Sequence, residues 1–215
     1  MHPLRTVSLA LAILVSASLS SFAQTTFTAN LTANQETTAP LFTLTNGQPR
    51  PVSFGSATFV LNASMTQLTM TVTVFNIDFT GSQTTDVNDN LVNAHIHANA
   101  TVTVGFNAPV VWGFFGTPFN DNNPNNQTVT PFASGVGGTI TSIWDAPEGQ
   151  GTTLTAQLNN ILTGHSYINF HTTQNTGGEI RGALTVVPEP STTALLGAAF
   201  VAAGAAAWRR RRRAA

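Results

Sequence analysis

Between residues 24 and 187 the apolar side chains fall on every second position, and that period limits what the chain can become. Phe27, Ala29, Leu31 and Ala33 alternate with polar residues. So do Ala57, Phe59 and Leu61, and then Leu68, Met70, Val72 and Val74 against a row of threonines. A period of two sends successive side chains to opposite faces of a strand, so each run predicts a strand with one buried and one wet face. Further strands are expected at Leu91–Ala98, at Val110–Phe115 and over residues 139–144, 152–158, 166–171 and 180–186, with Gly, Pro and Asn clusters between them. Residues 120–126, asparagine-rich around Pro124, read as an exposed loop. No stretch sustains helical periodicity and no internal repeat is present. One all-β domain, an antiparallel sandwich or barrel, is the expectation.

Only a core can hold such a domain together, because the chain of 215 residues has no cysteine for disulfides or thiolate metal sites. Residues 24–187 are enough for one, since a domain of about 150 residues buries roughly 70% of its unfolded surface. The formal charge of −1 hides two unlike regions, as five of the eight arginines lie at the far C-terminus. Within 24–187, Arg50 and Arg181 face eight carboxylates, a net charge of −6. That balance repels phosphate backbones and excludes nucleic acid as a partner. No serine-histidine-aspartate order, nucleophile elbow, phosphate loop or dinucleotide fingerprint is present, so the expectation is a protein that is not an enzyme.

The two ends carry addresses. Arg5, an apolar run over residues 7–19 and the small residues of Ser21-Phe22-Ala23 form a signal peptide at 1–23, cut after Ala23 by signal peptidase. At the other end Pro188-Glu189-Pro190 is followed by an uncharged stretch, expected as a transmembrane helix at about 192–208. Arg209, Arg210, Arg211, Arg212 and Arg213 come next. A seventeen-residue apolar segment at 191–207 reaches about 26 Å as a helix, just short of the ~30 Å hydrocarbon core. The arginines belong in the cytoplasm and the domain outside. Residues 187–215 closely resemble the PEP-CTERM sorting signal. The resemblance implies processing by an exosortase at the inner membrane, then residence in the envelope, at the surface or in the extracellular matrix. An exopolysaccharide or an envelope protein would be the partner there. The chain thus divides into 1–23, a domain at 24–187, and a sorting signal at 188–215.

Chemistry concentrates on two of the expected strands. In Ala94-His95-Ile96-His97 the two imidazoles project to one face and the apolar residues to the other. On the second strand His165, Tyr167, Asn169 and His171 share a face opposite Ile168 and Phe170. If the strands are neighbours, His95, His97 and His171 converge on a metal. An imidazole set without thiolates suits copper or zinc, with Asn169 or Glu179 accepting the remaining ring N–H groups. Glu179 and Arg181, two apart on a strand and so on one face, are expected in a structural ion pair, with each other or with a cross-strand partner. Asp86-Val87-Asn88-Asp89-Asn90 opens like a calcium loop, but Leu91 and His97 stand where glycine and glutamate are needed.

Three segments carry a family resemblance: Leu91-Val92-Asn93-Ala94-His95-Ile96-His97, then Gly164-His165-Ser166-Tyr167-Ile168-Asn169-Phe170-His171-Thr172, then Gly178-Glu179-Ile180-Arg181-Gly182. They are similar to the hallmark segments of the CHRD domain, named from chordin, and the likeness extends over about residues 25–187. It implies an all-β, immunoglobulin-like sandwich. In chordin these domains belong to an extracellular growth-factor antagonist, while bacterial members lack an assigned activity. The His-x-His strand is also similar to one in copper/zinc superoxide dismutase, whose zinc loop and disulfide have no counterpart here. The leading expectation is a non-enzymatic binding or structural module in the envelope or matrix. The alternative is a copper or zinc protein, redox-active in the manner of that dismutase.

Overall fold

Ten antiparallel strands, one α-helix and a 3₁₀ turn make up the domain. The computed structural model describes residues 24–102, 105–188 and 200–202. The expected signal peptide with Ala23, Glu189 and Pro190 of the sorting motif, nearly all of the helix expected at about 192–208, and the arginines at 209–213 lie outside those residues. Among the described residues no helix is long and apolar enough to cross a membrane.

The strands are β1 (Thr25–Thr32), β2 (Phe54–Leu61), β3 (Gln67–Phe75), β4 (Leu91–Ala98), β5 (Val110–Phe115), β6 (Thr128–Pro131), β7 (Gly137–Asp145), β8 (Ser166–Thr172), β9 (Ile180–Ala183) and β10 (Thr185–Val186). They form one sheet in the order β5-β4-β8-β9-β1-β2-β3-β7-β6, with β10 also pairing β1. The sheet curls on itself. Trp112 of β5 stacks on Trp144 of β7 at 5.5 Å, and these strands stand near opposite ends of the order. Phe27, Phe59, Leu68 and Met70 meet Ile96, Phe114, Ile168 and Phe170 in the shared core. Each such side chain removed from water contributes about 1.5–3 kcal/mol.

Residues 180–186, expected as one strand, change partners midway. β9 pairs β8, Leu184 N–H donates to the Ser166 carbonyl, and β10 continues against β1. This switch joins the two halves of the sheet, as strands do at the corners of sandwiches.

Residues 152–158, expected as a strand, instead open the helix α1 (Leu154–Leu162). Leu154, Leu158, Ile161 and Leu162 fall at helical spacing, Thr153 Oγ1 accepts from Ala156 N–H as the N-cap, and Gly164 follows at φ +78°. The alternation of Leu154, Ala156 and Leu158 spans only five residues, too few to tell the periods apart. Ala33, expected to extend β1, begins a 3₁₀ turn, Ala33–Gln35. The edge strand β6 had no signal in the sequence, being four residues ending on a proline. The loop at 120–126 is exposed at 122–125, but Asp121 is wholly buried, accepting from Ser142 Oγ and from Asn126 N–H.

Candidate metal centre

The site is built from β4 and β8, which pair antiparallel with His95 opposite Asn169, His97 opposite Tyr167 and Asn93 opposite His171. Ala94 and Ile96 of β4, with Ile168 and Phe170 of β8, point into the core, so the intervening side chains share the outer face. That face is covered as well. Every residue of β8 is buried, and His95, His97 and His171 are each less than a tenth exposed.

The three rings cluster with centroids 5.1 Å apart for His95 and His171, 5.8 Å for His95 and His97, and 6.2 Å for His97 and His171. One nitrogen of each lies within 4.8 Å of those of the other two. Backbone carbonyls hold the rings in place: His95 Nε2 meets the Thr117 carbonyl at 3.1 Å, His97 Nδ1 that of Ala108 at 2.8 Å, and His171 Nδ1 that of Thr176 at 3.0 Å. A carbonyl only accepts, so the nitrogen facing it carries the proton in a neutral ring. The remaining nitrogens are then lone pairs: Nδ1 of His95, and Nε2 of His97 and His171. All three are buried and have no hydrogen-bond partner.

Burial also keeps these rings neutral. Desolvation is the first cause in each case, pushing His97 down to about 3, His171 down to about 4, and His95 below the ordinary histidine value. For His97 and His171 the mutual repulsion of the imidazoles and the Arg181 guanidinium act in the same direction. Neutral imidazole is the form that binds metal. Nitrogens at the usual 2.0–2.1 Å from a shared ion stand about 3.3–4.2 Å apart, so the rings would close in by about 0.6–1.5 Å from the observed 4.8 Å limit to share one.

Glycines let the carbonyls approach. A Cβ on Gly113 would meet the Pro118 carbonyl oxygen at 1.8 Å, so only glycine admits the 117–118 segment that faces His95. Gly178, at φ +126°, packs against Glu36 and Asn169 where the chain turns back from Thr176 into β9. Tyr167 stacks on His97 at 4.7 Å, and the Arg181 guanidinium lies 4.5 Å over the other partner of that stack, the tyrosine ring. The Ala108 peptide clamps both rings, its N–H donating to Tyr167 Oη and its carbonyl taking the His97 proton.

Neither side chain expected to accept a ring N–H does so. Glu179 receives no imidazole N–H; it lies in a buried ion pair with Arg50 at 2.6 Å and also accepts from Ser53, Thr172 and Asn175. Asn169 stands opposite His95 in the ladder, but all three ring protons go to carbonyls and its Oδ1 has no partner. Arg181 pairs with Glu36, Nε to Oε2 at 2.7 Å, so the carboxylate and guanidinium two residues apart each find a different partner. His165 bonds to Thr163 and stays outside the cluster. The residues unsuspected from sequence are Thr117, Ala108 and Thr176, which act through backbone carbonyls that any residue carries, and Arg50, alone in a loop.

The model of the CHRD domain matches residues 27–184, and that of the PEP-CTERM protein-sorting motif matches residues 186–212. No curated protein and no solved structure matches the chain. The sorting motif implies processing by an exosortase, export, and association with the cell envelope or surface.

Proposed function

The chain belongs to the CHRD domain family, and from that premise we propose that it is a non-enzymatic binding module, delivered outside the cell by exosortase sorting, that holds one transition-metal ion, copper or zinc, on His95, His97 and His171. Two observations carry this reading: each of the three histidines keeps one buried ring nitrogen without a hydrogen-bond partner, and one nitrogen of each lies within 4.8 Å of those of the other two. Buried polar atoms are nearly always satisfied, and a leftover group calls for an explanation. Three buried lone pairs on clustered rings repel each other, and a cation between them would relieve that repulsion. The residues fit a metal in donor type and protonation, and the carbonyls of Thr117, Ala108 and Thr176 hold the opposite ring nitrogens in place. Outside the cell the module would sit in the exopolysaccharide matrix or against an envelope protein.

The test uses the full chain, exported to the periplasm of a host without exosortase, purified, stripped and reloaded with copper or zinc. About one equivalent is expected in the parent and less than a tenth in His97→Ala. A parent that retains less than a tenth of either metal defeats the proposal. Sorting is tested by intact mass in the native host: loss of the arginine tail supports it, and an unprocessed C-terminus beside an active exosortase opposes it.

A further inference from the structure

Which ion such a pocket prefers is decided by charge as much as by donor type. The three ligands are neutral imidazoles, and among the described residues no carboxylate joins them. The carboxylates of the surrounding elements are committed elsewhere, Glu36 to Arg181 and Glu179 to Arg50. The Arg181 guanidinium lies over Tyr167, which stacks on His97, and its charge is balanced by the ion pair with Glu36. A cation placed here therefore enters a buried space in which no ligand carries a negative charge. The desolvation cost of an ion rises with the square of its charge, about fourfold from +1 to +2, and no ligand charge offsets it here.

Coordination number points the same way. Zinc sites hold four ligands, three from protein only where a water or substrate completes them. The histidine triplet supplies three, and the ligand nitrogens have almost no solvent contact. A monovalent d¹⁰ ion is content with three donors in a plane. The mixture of donor atoms is what lets two rings on one strand face share such an ion: His95 offers its near nitrogen, Nδ1, and His97 its far one, Nε2, while His171 reaches in from the neighbouring strand through Nε2.

We propose that this centre is built for copper and takes it as Cu(I), three-coordinate through His95 Nδ1, His97 Nε2 and His171 Nε2, in preference to Zn(II). The inference rests on the metal reading above and narrows it.

The experiment titrates the stripped full chain with Cu(I), without oxygen, against a chromophoric Cu(I) chelator, and separately with Zn(II) against a zinc chelator. X-ray absorption is then recorded on the copper-loaded protein. The expected result is one Cu(I), bound at least about a hundredfold more tightly than Zn(II), with three nitrogen neighbours at about 2.0 Å and no fourth. Zinc bound as tightly as Cu(I), or a four-coordinate copper, overturns the inference while leaving a metal protein standing. Failure of both metals to bind overturns the inference together with the reading beneath it.

Discussion

The two halves of the curled sheet share a backbone plan and differ in what covers them. In β2 and β3 buried and open positions alternate along the strand, and the outer face is a lattice of hydroxyls. Thr28, Thr58, Thr71, Thr141 and Thr128 stand in register across β1, β2, β3, β7 and β6. In β4 from Ala94 onward, and throughout β8, both faces are buried. Loops cover the outer face there, and the side chains under them are histidine, asparagine and tyrosine rather than leucine or valine. Water satisfies the polar groups of the first half, while those of the second depend on named partners. Burying polar groups is costly unless they are paired, so the covered half is where sequence was spent on something other than stability.

If that contrast is right, substitutions in the two halves should differ sharply. The largest effect is expected for Arg50→Ala, which leaves Glu179 charged and buried without its counter-ion and should cost about 3–5 kcal/mol in urea unfolding of the full chain. A loss below about 1 kcal/mol would mean that the covered half tolerates unpaired charge.

Acidification comes next. An unfolded histidine takes its proton at about 6.5, whereas folded His97 resists to about 3 and His171 to about 4, and His95 moves the same way. Between those values the unfolded chain binds more protons, so stability falls as pH drops from 6.5 towards 4. At pH 4.5, two units below 6.5, each histidine contributes a loss of at most about 2.7 kcal/mol. Glu36, raised by desolvation, works in the opposite direction and offsets part of it. Thermal melts of the metal-free protein from pH 7.5 to 4.5 should show this slope, and His97→Gln should flatten it.

Gly113→Ala is expected to cost about 1–3 kcal/mol by overpacking against the Pro118 carbonyl. It should also weaken metal binding by moving the Thr117 carbonyl away from His95. The smallest effect belongs to the wet half. Thr71→Val, exposed in the middle of the hydroxyl lattice, should change stability by no more than about 0.5 kcal/mol and leave metal binding untouched.

The same contrast explains what could be read in advance. Strands β1, β2 and β3 of the wet half announced themselves because alternation is the direct imprint of one open face, and the histidines were legible because His95 and His97 share a strand face at spacing two. That His171 joins them needed only β4 and β8 as neighbours. The carbonyl acceptors were not legible, since Thr117, Ala108 and Thr176 act through groups every residue has. Glu179 was misplaced because its partner, Arg50, lies 129 residues away in a loop without pattern. The helix at Leu154–Leu162 was hidden by a five-residue window, Leu154 to Leu158, in which periods of two and 3.6 look alike.

The central claim is that the three leftover nitrogens of the covered half are ligands. A crystal of the copper-loaded protein, measured at the copper absorption edge, tests it most directly. The account predicts one anomalous peak about 2.0 Å from His95 Nδ1, His97 Nε2 and His171 Nε2, with the opposite ring nitrogens still on their carbonyls. Copper found only at other residues, or no peak between the three rings, would contradict it.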